Sequence, residues 1–354
     1  MPLFLLALAV FAMGTSEFML AGLVPGIAAA FDVSAAQAGY LTSAFAAGMV
    51  AGAPVMAALA RSWRRRTALL CFLVVFVAMH VVGGLTTSFG VLVGTRLVAA
   101  VANAGFLAVA LTAATAFGPA GRALAVLLGG STVACVAGVP GGSLLGWRPA
   151  FWAVALLCLP AFAALWWIPD TAAGTRPAGL RAELAVLRPV AGVLAVAALV
   201  NAATFGVFTF LATVAAGVAP VPVVLGAFGA GCLAGITAAG RLADRWPGRV
   251  VAVGGPLLLA GWLAAALCAH VPAVLVTLAC TQGALSFAVG GTVIARILHL
   301  AEDAPTMKGS YATAALNVGA TAGPVIAGAV ANPFWPAAGL VAAALVTYAC
   351  LRRT

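Results

Sequence analysis

Charge is scarce in this sequence: only 7% of the 354 residues are charged, against roughly 25% in an ordinary soluble domain. With 65% of residues hydrophobic, a water-soluble fold of this size is excluded. Lysine is almost absent. The single one, Lys308, lies between Met307 and Gly309, so the GxxxxGK[ST] loop that cradles ATP phosphates cannot form. ATP-driven pumping is thereby excluded, leaving an ion gradient or downhill flow. Acidic residues number seven, and only Glu17 falls deep inside an apolar stretch. No second buried acid, metal-ligand cluster or nucleophile with a base at motif spacing accompanies it, which argues against an enzyme, a metal site or a cofactor. The seven cysteines show neither CxxC nor Cys/His spacing, so they read as small helix-packing residues.

The 17 basic residues give a net charge of +10, but all except Arg96 fall between apolar spans or at their ends. No soluble module is left to carry a nucleic-acid face, so no nucleic acid is expected as a partner. The lipid bilayer is the expected surroundings. The run from Pro2 to Met13 lacks a basic leader, and its apolar pattern continues past Gly14; it reads as the first half of a membrane span, not a signal peptide.

Apolar stretches of about 20 residues cross a hydrocarbon core roughly 30 Å thick. Hydropathy with Gly, Pro and Arg punctuation gives twelve, near 3–29, 36–60, 67–87, 90–117, 122–146 and 148–168, then 189–215, 220–241, 248–270, 272–297, 309–331 and 333–351. The fold expected is an all-α integral membrane protein of twelve transmembrane helices in two six-helix bundles, residues 1–168 and 189–354, joined by a cytoplasmic linker over 169–188. With twelve spans, Arg61, Arg64, Arg65, Arg66, Arg122, Arg176, Arg181, Arg188, Arg241, Arg245, Arg249, Arg296, Lys308, Arg352 and Arg353 share one side, and only Arg148 lies opposite. Positive loops stay inside, so both termini are expected in the cytoplasm of a multi-pass protein of the cell membrane.

The halves repeat. Leu59-Ala-Arg-Ser-Trp-Arg-Arg-Arg66 corresponds to Leu242-Ala-Asp-Arg-Trp-Pro-Gly-Arg249, with Asp244 standing 183 residues after Arg61. Pro140 and Pro324, each just beyond a glycine, are 184 apart. A period of half the chain implies two parallel bundles.

These residues resemble the major facilitator superfamily, and within it the proton-driven drug exporters. Gly240-Arg-Leu-Ala-Asp-Arg245 is similar to the family's loop signature between its second and third helices, better kept here in the second half; in the first half Arg61 stands where the family usually places Asp. Gly130 with Gly138-Val-Pro140-Gly141-Gly142 resembles the antiporter motif of span 5, and Leu92-Val-Gly-Thr-Arg96 the span 4 arginine motif. Gly14-Thr-Ser-Glu-Phe-Met-Leu-Ala-Gly-Leu-Val-Pro25, Ala102-Asn-Ala-Gly-Phe-Leu-Ala-Val-Ala-Leu111 and Tyr311-Ala-Thr-Ala-Ala-Leu-Asn-Val-Gly319 look like chloramphenicol-resistance exporters of actinomycetes, nearly end to end. The connections after spans 4, 5, 7 and 11 are short by comparison. The resemblance implies export of a small drug-like compound in exchange for protons. The chain is expected to work as a monomer. A rival with the same fold exports a sugar, nucleoside or amino-acid metabolite; a channel fits the half-repeat and the span 5 motif less well.

Glu17 costs about 2.5–3.5 kcal/mol inside a bilayer on insertion scales, and intramembrane acids are functional by default. Burial disfavours the charged form of a carboxyl, which suits Glu17 to carry a proton; the alternatives are substrate contact or a structural hydrogen bond. Arg96 is the natural partner by depth. At about 1.5 Å per residue, Glu17 lies roughly 21 Å past Leu3, about 9 Å from the far face, and Arg96 roughly 10 Å past Phe89 from that same face. If the two meet, protonating Glu17 biases the inward-open and outward-open states; alternatively Arg96 satisfies helix carbonyls.

In span 5, Pro140 removes a backbone donor while the glycines allow close packing, so a kink is expected. The resemblance makes Gly130, Gly138, Pro140, Gly141, Gly142 and the repeat's Pro324 a leak-proof gate; ordinary packing alone accounts for Gly130. The resemblance likewise makes Asp244 with Arg241 and Arg245 a cytoplasmic latch, although an exposed ion pair contributes only about 0–1 kcal/mol. Arg64, Arg65 and Arg66 read as topogenic charge. Polar or aromatic candidates for a substrate cavity are Asn103, Phe106, Asn201, Phe205, Gln282 and Asn317, and periodicity leaves open which of them face it. His270 and His299 belong to no cluster, and His80 reads as a packing residue.

Overall fold

The structure is a computed structural model that describes residues 2–59, 63–114, 129–131, 133–165, 187–242, 247–301 and 308–351. Its described elements are helical, as a lipid solvent demands, because a helix satisfies its own backbone donors and acceptors where water cannot. The first half comprises α1 (Pro2–Phe18), α2 (Leu20–Phe31), α3 (Ala35–Leu59), α4 (Arg65–Leu85), α5 (Phe89–Ala114), a π-helical turn (Ala134–Gly138) leading into α6 (Val139–Leu145), and α7 (Trp147–Leu165). The second comprises α8 (Leu187–Ala215), α9 (Val221–Leu242), α10 (Pro247–Cys268), α11 (Pro272–Leu300), α12 (Lys308–Gly328) and α13 (Phe334–Leu351). With α1 and α2 as one broken span and the π-turn with α6 as another, the described helices fall at the twelve expected positions. The linker expected over 169–188 lies almost wholly outside the described residues.

Span 1 is not the continuous rod its apolar pattern implies. α1 and α2 meet at Met19 with a bend of 51°. Pro25, inside α2, lacks the N–H that Ala21 O would accept, and its ring crowds the preceding turn. α2 stops at Asp32, which takes the left-handed conformation (φ 53°) and returns its N–H to Ala28 O. A capping box starts α3: Ser34 Oγ accepts from Gln37 N at 3.1 Å while Gln37 Oε1 accepts from Ser34 N at 2.8 Å.

Small residues decide which helices pair. A Cβ on Gly48 would strike Leu97 O and one on Gly52 would stand 2.9 Å from Val101 Cα, so α3 lies backbone to backbone on α5. In the second half Gly231, Gly235 and Gly283 do the same for α9 and α11. Span 1 packs on span 5 through Gly14, Gly22, Gly130, Gly138 and Gly142, as α8 packs on α12 through Gly206, Gly319 and Gly323. Two equivalent pairings, each made by close approach at glycine, are the three-dimensional form of the half-chain repeat.

Each half has its own apolar core. A few residues cross over: Phe210 and Ala327 join the first-half core, and Ala21, Ala46, Cys135 and Val139 the second. At the end away from the chain termini the halves touch closely. A Cβ built on Gly328 would stand 3.2 Å from Ala36 Cβ, and one on Gly39 would strike the Phe210 ring at 2.7 Å.

Candidate functional site

Five helices converge on one guanidinium. Arg96, on α5, is 1% exposed, and a charge so placed needs hydrogen-bond acceptors or aromatic faces. It has both. Nη2 donates to Ser16 O and to Ser16 Oγ, each at 2.8 Å, and Nη1 donates to His80 Nε2 at 3.2 Å. The Phe45 and Phe151 rings lie 4.7 and 5.4 Å from its Cζ, in range for cation–π attraction. Phe151 reaches this place because Gly83 leaves room; a Cβ there would stand 2.7 Å from the ring. Arg96 Nε has no hydrogen-bond partner.

His80 is a full member of this network and is 0% exposed. Its Nδ1 lies 2.8 Å from Phe76 O. A carbonyl only accepts, so Nδ1 carries the hydrogen and Nε2 is left bare. The bare nitrogen takes the Ser16 hydroxyl at 2.7 Å along with Arg96 Nη1. Sequence reasoning set His80 aside as packing. The usable signal was depth: His80 lies about 7–8 Å below Leu85 on α4, close to the level of Arg96 below Phe89 on the next helix.

Glu17 sits one residue beyond Ser16, in the last turn of α1 before the bend, and is half-buried. The guanidinium therefore binds the residue beside the acid, and Glu17 is not among its hydrogen-bond partners. The two charges share one level, as the rise per residue implied, but the contact falls on a neutral carbonyl and hydroxyl. The next residue, Phe18, turns toward the second half, with ring centroids 6.2 Å from Phe205 and 6.3 Å from Phe208; Phe208 stacks on Phe228 at 5.1 Å. Ser16, Glu17 and Phe18 thus link the arginine to an aromatic cluster between the halves.

Span 5 widens before its proline. The π-turn Ala134–Gly138 directly precedes Val139-Pro140, a π-bulge of the kind often found at functional sites in helices. Its glycines have different jobs. Gly130 faces the backbone of Ala7 and Phe11, Gly138 faces Thr15, and Gly142 faces Met19, all on span 1. Pro140 Cγ lies 3.9 Å from a Cβ built on Gly226 in the second half. Gly141 meets nothing within 4 Å. Gly138→Ala puts a methyl 2.9 Å from the stiff Thr15 side chain and is expected to cost about 1–3 kcal/mol by overpacking. Gly141→Ala is expected to be neutral or to stabilise by about 0.5–1 kcal/mol. Thermal unfolding of the detergent-purified variants checks the contrast; equal shifts would refute it.

The cavity candidates fare differently. Phe205 belongs to the aromatic cluster. Phe106 is 0% exposed within the first-half core. Gln282 Nε2 donates to Leu258 O at 2.8 Å, which commits it to holding α11 on α10. Asn201 Nδ2 donates to Leu316 O at 2.6 Å, Asn317 Nδ2 to Thr313 O at 2.9 Å, and Asn103 Nδ2 points at Met49 Sδ, 3.6 Å away. Pro324 is buried in α12 beside Gly323. Of the latch, Arg241 belongs to the last turn of α9, while Asp244 and Arg245 lie outside the described residues.

The chain is 58% identical to the "Chloramphenicol resistance protein" of Streptomyces lividans, over 98% of this chain and 95% of that protein. It is 31% identical to the "Inner membrane transport protein YdhP" of Escherichia coli strain K12, over 97% of this chain and 93% of that protein. Among solved structures, a bacterial homologue of the human lysosomal transporter Spinster, inward-facing and occupied, superposes with a TM-score of 0.77 at 19% identity, over 99% of this chain and 96% of that one. The second of these relatives and the solved structure are named as transporters. Residues 6–238 match the Major Facilitator Superfamily, and together with the near full-length relatives this establishes that the chain belongs to that family of multi-pass membrane transporters.

Proposed function

We propose that this protein is a secondary active exporter that exchanges chloramphenicol, or a similar small amphipathic compound, for protons by alternating access. The observation that carries the reading is the 58% identity, nearly end to end, to a chloramphenicol resistance protein. The site supports it. Glu17 is a protonatable group beside the Arg96 network, on the segment where span 1 bends and meets the second half. Protonation there changes the charge at the joint that alternating access must rearrange.

In this reading the chain is a monomer of the cell membrane with both termini in the cytoplasm. Residues 1–168 and 189–354 are the two rocking bundles, and 169–188 are the linker. The contacts of Ala36 with Gly328 and of Gly39 with Phe210 then form the outer gate. Phe18, Phe205 and Phe208 offer an aromatic face to the cargo, while Arg241, Asp244 and Arg245 form the inner latch.

An efflux-deficient host expressing the chain tests the proposal. Chloramphenicol tolerance is expected to rise, and accumulation of the labelled drug to fall until a protonophore restores it. Unchanged accumulation in expressing cells would sink the antibiotic reading. Export that ignores the protonophore would sink the coupling.

A further inference from the structure

One buried titratable side chain, His80, has no place in the coupling scheme above, although it lies against the arginine that scheme uses. Its Nδ1–H is committed to Phe76 O at 2.8 Å, so the ring presents one lone pair, at Nε2. Two donors meet there: Ser16 Oγ at 2.7 Å and Arg96 Nη1 at 3.2 Å. Ser16 in turn accepts from Arg96 Nη2 at both its carbonyl and its hydroxyl. Arg96, Ser16 and His80 therefore close a ring of hydrogen bonds across α5, α1 and α4. The ring is packed in by Phe76, 4.2 Å from His80 between centroids, and by Phe151 at 5.6 Å.

Removing His80 opens this ring at one place. Nη1 then has a buried, unmet donor, which carries a desolvation cost that favours any other acceptor in reach. Glu17, adjacent to Ser16 and not hydrogen-bonded to the guanidinium, is the anionic one. We propose that His80 is a positioning residue of proton-coupled transport: its tautomer-locked imidazole holds Arg96 on Ser16 and so keeps the guanidinium from closing a direct hydrogen-bonded ion pair with the Glu17 carboxylate. This rests on Glu17 as the proton carrier.

The test uses full-length protein in proteoliposomes with labelled chloramphenicol, in two modes. Uptake driven by an acidic lumen requires proton exchange. Counterflow at equal pH on both sides requires only the alternation of the loaded carrier. His80→Leu is expected to lower driven uptake by at least about tenfold, the lower end for a hydrogen bond to a charged group, with counterflow within about twofold of wild type. His80→Gln, whose amide oxygen can accept from Arg96, is expected to recover most of the driven uptake. Ser16→Ala keeps the carbonyl acceptor, and a smaller loss in the same mode is expected; it decides the matter should His80→Leu not fold. Equal loss in both modes makes His80 structural only and overturns the proposal, as does unaltered driven uptake in His80→Leu. Wild-type protein with counterflow but no driven uptake would instead bring down the proton-coupling reading itself.

Discussion

Glu17→Gln is expected to reduce chloramphenicol efflux against a gradient to the level of cells lacking the protein, while substrate exchange down its gradient continues. The substitution is nearly isosteric and removes only the ability to gain and lose a proton, so packing of the α1 end is unchanged. A carboxyl at this depth, costly by about 2.5–3.5 kcal/mol on insertion scales, is retained for what it does. Its surroundings suit the task. Arg96 is already hydrogen-bonded to the Ser16 carbonyl, the Ser16 hydroxyl and His80, which leaves the acid half-buried, within reach of the guanidinium's charge but without a hydrogen bond to it. Each tenfold loss of driven rate corresponds to about 1.36 kcal/mol of barrier, and the expected loss exceeds that step. Accumulation of labelled drug with and without a protonophore is the measurement. Wild-type efflux in the Gln variant would remove Glu17 from the mechanism.

The second large effect concerns assembly. α8 and α12 touch through Gly319 and Gly323, where a Cβ would strike the carbonyl oxygens of Ala198 and Ala202, and would lie 2.9 Å from the amide nitrogens of Ala202 and Gly206. Backbone cannot step aside as a side-chain tip can. Gly319→Val and Gly323→Val are therefore each expected to force the helices apart, at about 1–3 kcal/mol or more, a large part of a stability of roughly 5–15 kcal/mol. Gly339 on α13 meets nothing within 4 Å, so Gly339→Ala serves as the control. The monodisperse fraction after solubilisation, read by size-exclusion chromatography, is expected to collapse for either valine variant and to stay unchanged for the control. A monodisperse Gly323→Val would show that the contact is not needed.

Span 5 and span 1 mark the limits of reading by pattern. The proline and glycines of Gly138-Val-Pro140-Gly141-Gly142 signal a bent, closely packed helix from sequence. Which glycine packs is a matter of helix rotation: Gly138 and Gly142 share a face on span 1, whereas Gly141 turns away. Likewise span 1 bends by 51° at Met19, between the polar run Thr15-Ser16-Glu17 and Pro25, and neither the size nor the direction of that bend is written in the hydropathy. The amides were legible as rare polar groups, but Gln282 and Asn317 are committed to helix carbonyls, which side-chain type alone does not reveal.

What the sequence by itself determined was position along the membrane normal. Lipid punishes charge and rewards runs of a set length, so hydropathy, arginine placement and the half-chain repeat are enough for twelve spans in two halves and for Glu17 and Arg96 at one depth. What only the tertiary structure decided was direction around each helix axis. Close approach at glycine sets those rotations, and they turn Arg96 onto Ser16 and His80, leave Glu17 beside the contact, and bring Phe18 against Phe205 and Phe208 of the other half.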